Sequence, residues 1–173
     1  MIWLKFLSKL IRILNKGATP KQIAGGIALG SIIGLTPSFM LNLFVFFLIL
    51  IINVNISAAI FSMVVFKLVS YLIDPLANSV GYELLVETDW LKSLWTTLYN
   101  APIVPFTKFN NTVVLGSLVI SLVLFFPLLF LTARGVVLYR ERLMSKIADF
   151  KIVKLLKASK IYGLYKKVRN LAP

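Results

Sequence analysis

Gly25-Gly26-Ile27-Ala28-Leu29-Gly30-Ser31-Ile32-Ile33-Gly34-Leu35-Thr36-Pro37-Ser38 is the stretch on which the fold of this chain turns. Glycines spaced by four strip side chains from one stripe of a helix, so that another backbone can approach closely, as happens where helices pack in lipid. Gly26, Gly30 and Gly34 are therefore the expected helix-packing residues, with Gly25 and Ala28 widening the small surface. The spacing fits a contact within the chain or across a dimer.

The stretch belongs to a run, residues 22–66, without a single Asp, Glu, Lys or Arg. As one straight helix, about 45 residues would reach roughly 68 Å, more than twice a hydrocarbon layer of about 30 Å. The run has to fold back, and Thr36-Pro37 is the natural break because proline cannot continue the helical ladder. Pieces of about 14 and 15 residues result, some 21 to 23 Å each, short for a comfortable crossing. The expectation is a Gly/Pro-broken hairpin over residues 20–52, re-entrant or made of two short spans. Thr19 is its expected N-cap, Pro20 suits the first turn, and Asn53-Val54-Asn55 closes it.

Composition agrees with a membrane setting. Of 173 residues, 59% are hydrophobic and 14% charged, whereas soluble domains have roughly 45–50% and 25%. Residues 56–73 form a second apolar segment, containing Lys67 and stopped by Asp74-Pro75, and the uncharged residues 109–133 form the clearest full span, with Pro127 inside it. Between them, residues 74–108 read as an outer loop. Trp90, Leu91, Leu94, Trp95, Leu98 and Tyr99 recur there with helical spacing, Thr88-Asp89 is the expected cap, and the two tryptophans suit an interfacial belt.

The net charge of +13 resides at the ends. Lys5, Lys9, Arg12 and Lys16 share one face of an amphipathic helix over residues 1–16, suited to an anionic membrane surface. Eleven basic and two acidic residues follow from Arg134 in the tail, residues 134–173, whose amphipathic part is around residues 150–160. Basic ends around an apolar middle place both termini in the cytoplasm. Three crossings would put the basic tail outside, so parity favours a hairpin that enters and leaves on one side, followed by two full spans. The expected fold is all-α, a single polytopic membrane domain. Nucleic acid is not an expected partner, since no recognition motif accompanies the charge.

Without Cys or His, the chain has no disulfide, Cys/His zinc site, Ser-His-Asp triad or His-ligated haem. No metal or cofactor is expected and no catalytic residue is assigned. Glu83 and Glu87 share a helical face but read as solvated acids, so a non-enzyme is expected. The residues able to form a polar site are Thr36, Pro37, Ser38 and Asn42 at the break, with Lys67 and Asp74 on one face of the next segment. Lys67 can also extend its ammonium to the interface, and no inverted repeat of the hairpin is visible. The leading expectation is a structural or adaptor subunit packing through the glycine stripe against itself or a larger membrane partner. The alternative is a small solute or lipid translocator that uses the break.

Pro20-Lys21-Gln22-Ile23-Ala24-Gly25-Gly26, Ala28-Leu29-Gly30, Gly34-Leu35-Thr36-Pro37 and Phe109-Asn110-Asn111-Thr112-Val113-Val114-Leu115-Gly116-Ser117 resemble an uncharacterised bacterial inner-membrane family, the domain of unknown function twenty sixty-two, in its longer subfamily. The resemblance covers most of the chain. It implies a bacterial inner membrane and a membrane-anchored protein as neighbour, and it brings no ligand or activity. Broader members often carry Asn-Pro in place of Asp74-Pro75, and a glycine where this chain has Ser38-Phe39.

Overall fold

A computed structural model of the chain describes residues 17–143. The helix expected over residues 1–16, with Lys5, Lys9, Arg12 and Lys16, lies outside the described residues, as does the tail beyond 143. Among the described residues, all regular structure is helical. One compact unit ends at Arg134 and a second begins at Gly135, of which the end of the last long helix and the π-helical turn Tyr139–Leu143 are described.

α1 (Pro20–Leu35) starts at a full capping box: the Gln22 amide donates to Thr19 Oγ1, and the Thr19 amide donates to Gln22 Oε1. Two otherwise unpaired donors of the first turn are satisfied reciprocally. α1 ends at Thr36, whose extended backbone is the conformation that a following proline imposes. Ser38 then caps α2 (Phe39–Ile51), accepting from the Leu41 amide at 3.5 Å. α2 leads back to where α1 began. There the Asn55 amide donates to Gln22 O at 2.9 Å and Gln22 Nε2 donates to Asn53 Oδ1 at 3.0 Å, which closes the base of a helical hairpin.

Asn55 also caps α3 (Ile56–Tyr82) by accepting from the Ala58 amide. This helix runs parallel to α1 along the glycine stripe. Gly26 faces Asn55, Ala58 and Ala59, Gly30 faces Ala59, and Gly34 faces Met63, Phe66 and Lys67. Methyl groups at Gly26 and Gly30 would run into the carbonyl oxygens of Asn55 and Ala59, so only glycine allows this approach. Ser62 Oγ adds a hydrogen bond of 2.6 Å to Ile27 O across the seam.

The expected stop at Asp74-Pro75 is not a stop, because α3 continues to Tyr82 with Pro75 inside it. The continuation is held by packing: Ala77 and Gly81 lie against Gly116 and Thr112 of the last long helix. Proline costs an intrahelical hydrogen bond but is tolerated where neighbouring helices hold the segment. A π-helical turn, Glu83–Glu87, follows, and then a 3-10 turn, Asp89–Leu91, leads into α4 (Lys92–Tyr99). Thr88 does not cap α4. Its hydroxyl instead donates to Glu83 O, closing the π turn, because the chain has already begun to coil at Asp89. The two tryptophans also part ways: Trp90 is exposed, while Trp95 donates to Leu84 O and packs against Phe109.

A further 3-10 turn, Val104–Thr107, precedes α5 (Thr112–Leu138), to which Asn111 gives the first-turn contact by accepting from the Val114 amide. α5 extends past the expected end at residue 133, since Arg134 continues the helix rather than stopping it. Gly116 beside Ala77 and Thr112 beside Gly81 make it antiparallel to α3. Leu29, Ile32, Val45, Ile49 and Ala59 form the core of the hairpin and α3, and Leu118 and Phe125 of α5 pack on it. Two helical stretches, Ile56–Glu87 and Thr112–Arg142, are long and apolar enough to cross a membrane.

Candidate functional site

The break between α1 and α2 lines a cavity of about 460 Å³, with Thr36, Pro37, Ser38 and Asn42 on one side and Met63, Val64, Lys67 and Leu68 of α3 on the other. Each wall follows from a local preference. Pro37 ends α1, Ser38 starts α2, and the Gly34 contact draws α3 in so that Lys67 arrives level with the break. Ile33, Gly34 and Phe39 complete a lining that is mostly apolar, with a few polar groups converging on it.

The polar groups fall into two sets. Ser38 Oγ donates to Thr107 O at 2.6 Å, so the turn before α5 reaches the tip of the hairpin. Asn42 Nδ2 donates to Thr36 O at 2.9 Å. Since only the amide nitrogen can donate, this bond fixes the orientation of the side chain and leaves Asn42 Oδ1 without a partner. Thr36 Oγ1 is likewise buried and unpartnered, in a residue only 1% exposed. An unmade hydrogen bond at a buried group costs about 1–3 kcal/mol, so two within one cavity wall mark a place that a bound group would satisfy.

Of the residues expected to form a polar site, Thr36, Pro37, Ser38, Asn42 and Lys67 come together, and Asp74 does not. Asp74 lies about two turns further along α3 and does not line the cavity. The glycine stripe is used within the chain, so Gly26, Gly30 and Gly34 are covered by α3 rather than offered to a partner. A second seam, Ala77 and Gly81 against Thr112 and Gly116, went unread in the sequence. Its signal is the same four-residue spacing of small residues, present once on each helix rather than twice in succession on one.

Buried serine hydroxyls elsewhere among the described residues have partners: Ser62 finds Ile27 O across the seam, and the others are satisfied within their own helices. Ser31, Ser70, Ser117 and Ser121 each donate to the carbonyl three residues before them in their own helix. The Thr36 hydroxyl, by contrast, sits where the helix has ended and no such carbonyl is engaged.

Residues 4–144 match the family described as an uncharacterized protein conserved in bacteria, DUF2062. The chain belongs to this family. An uncharacterized protein of Treponema pallidum (strain Nichols) is similar to it, 29% identical over 145 residues that make up 83% of this chain and 89% of that protein. No solved structure matches. The cavity and both small-residue seams fall inside the DUF2062 match.

Proposed function

We propose that this DUF2062 protein is a bacterial inner-membrane carrier that takes up a small polar or amphiphilic ligand at the broken hairpin. One observation carries the reading: Thr36 Oγ1 and Asn42 Oδ1 are buried without partners in the wall of a cavity that also holds Lys67. Helices broken inside a bilayer present free backbone and side-chain groups of this kind, and carriers bind substrates there. α1 and α2 return to one end, and their tip is level with Lys67, about 17 Å along α3 from Ile56 in a layer of roughly 30 Å. That depth supports a re-entrant hairpin. With α3 crossing once and α5 returning, both termini are cytoplasmic and the protein is multi-pass.

The test is movement in reconstituted vesicles. Small anions and labelled lipids should be moved by the natural protein, and Thr36→Val or Lys67→Met should reduce that movement at least tenfold. Asp74→Asn should leave it unchanged. Absence of any movement under a broad screen of anions and lipids overturns the carrier. Labelling a cysteine at position 54 only from the outer face overturns the topology.

A non-catalytic adaptor is the second reading, and it has to use a surface other than the stripe. The outer face of α2 supplies one, where Phe39, Phe44, Phe47 and Ile51 are more than half exposed. A larger membrane-anchored protein or a second copy of the chain recovered stoichiometrically in gentle detergent, and lost on Phe47→Ser, would favour it.

A further inference from the structure

We infer that the ligand of this cavity is an anionic glycerophospholipid, held by its phosphate and a headgroup hydroxyl and entering sideways from the bilayer between α2 and α3. The inference rests on the carrier reading for the site and adds the class of ligand.

Three independent features define the chemistry. The Lys67 ammonium has no hydrogen-bonding or ion-pairing partner among the described residues, although it lies inside the span Ile56–Glu87. An ammonium in that position calls for an anion. Thr36, Ser38 and Asn42, which face it from the hairpin, bring no carboxylate, and Asp74 on its own helix does not line the cavity. The start of α2, at Ser38 and Phe39, also lines the cavity, so the positive end of a 13-residue helix borders the same space as Lys67. A phosphate meets both.

Asn42 Oδ1 adds the second requirement. It can only accept, so a bare phosphate diester leaves it as unsatisfied as before, whereas a headgroup hydroxyl supplies the donor. Thr36 Oγ1, able to donate or accept, serves either group. The rim adds the third requirement. Phe39 is 80% exposed, Leu68 68% and Val64 50%, in segments that face hydrocarbon on the carrier reading. A water-soluble anion would have to pass that rim, while acyl chains lie against it.

The test uses the full-length protein in nanodiscs of mixed phosphatidylglycerol and phosphatidylcholine, with retained lipid counted by native mass spectrometry. One phosphatidylglycerol per chain should be retained at least tenfold over phosphatidylcholine. Retention should fall about tenfold in Lys67→Met and in Asn42→Leu and stay unchanged in Lys92→Ala, all three keeping the elution profile of the natural protein. Millimolar glycerol phosphate in the water should not displace the lipid. Equal retention in the cavity variants overturns the inference, and so does displacement by glycerol phosphate, which would make the ligand a free phosphate ester. Vesicle assays separate the two readings. Specific retention without transbilayer movement removes the carrier and leaves the ligand class, while Lys67-dependent movement of a soluble anion without lipid retention removes the ligand class and leaves the carrier.

Discussion

The base and the tip of the α1–α2 hairpin are built on opposite terms. At the base, Thr19, Gln22, Asn53 and Asn55 satisfy one another through two caps and two cross-links between the hairpin's ends. At the tip, two polar atoms are buried with nothing to bind, beside a lysine whose ammonium has no partner among the described residues. Both ends are polar, and both interrupt an uncharged stretch of sequence. Hydrogen bonding at the base serves folding, whereas the tip keeps its capacity in reserve. An unsatisfied polar group persists when something other than stability maintains it.

The largest effect tests the seams that allow this contrast. Gly30→Ala and Gly116→Ala should each destabilise by about 3 kcal/mol or more, because the new methyl meets backbone carbonyl oxygen of Ala59 or Ala77 rather than a side chain that can swing away. Thermal unfolding in detergent would measure it. Gly17→Ala, with open space around it, should stay within about 0.5 kcal/mol. If Gly30→Ala is equally silent, α1 and α3 do not meet as described.

Next comes the base itself. Gln22→Ala removes the cap acceptor and the Asn53 cross-link together and should cost about 1–2 kcal/mol. At the tip the sign should reverse. Thr36→Val removes an unpaired hydroxyl and should leave stability unchanged or raise it by up to about 1 kcal/mol, while ligand retention falls. A loss of stability similar to that of Gln22→Ala would erase the distinction between the two ends.

The smallest effect lies away from both ends. Lys92 donates to Asp89 at 2.6 Å, and that hydrogen bond, followed by the lysine's charge, holds the Asp89 carboxyl below its usual range. The same bond raises Lys92. For Asp89 the stabilisation is present above its unfolded pKa and lost as pH falls through the lowered one. For Lys92 it is present below its unfolded pKa and lost as pH rises through the raised one. Both groups are solvent-exposed, so Lys92→Ala should not shift the unfolding midpoint measurably between pH 5 and pH 9.

Local chemistry governs some residues of this chain and is overridden at others. Thr19 and Pro20 start a helix because their chemistry is local, and so the N-terminus of α1 was legible. Asp74-Pro75 misled because its stop signal is equally local, and packing of Ala77 and Gly81 on α5 overrides it. Trp95 resembles an interfacial anchor by spacing, yet its indole found a partner at Leu84 O. Thr36, Ser38 and Asn42 could be picked out as polar residues at a break, but their orphaned atoms could not. Satisfaction depends on what the neighbouring elements bring.

Local chemistry is enough to make the chain helical, to give it two stretches that suit a bilayer, to fold it back at Thr36-Pro37, and to leave one helix with a bare face at Gly26, Gly30 and Gly34. These follow from rise per residue, backbone restriction and side-chain volume, which are properties of a residue and its near neighbours. Long-range packing sets the rest: α3 covers that face, a second seam holds α5, and Lys67 meets Thr36 and Asn42 across a cavity. A periodic pattern states which face of a helix is small, but the partner is chosen by backbone approach between segments far apart in the chain, and spacing carries no record of that choice.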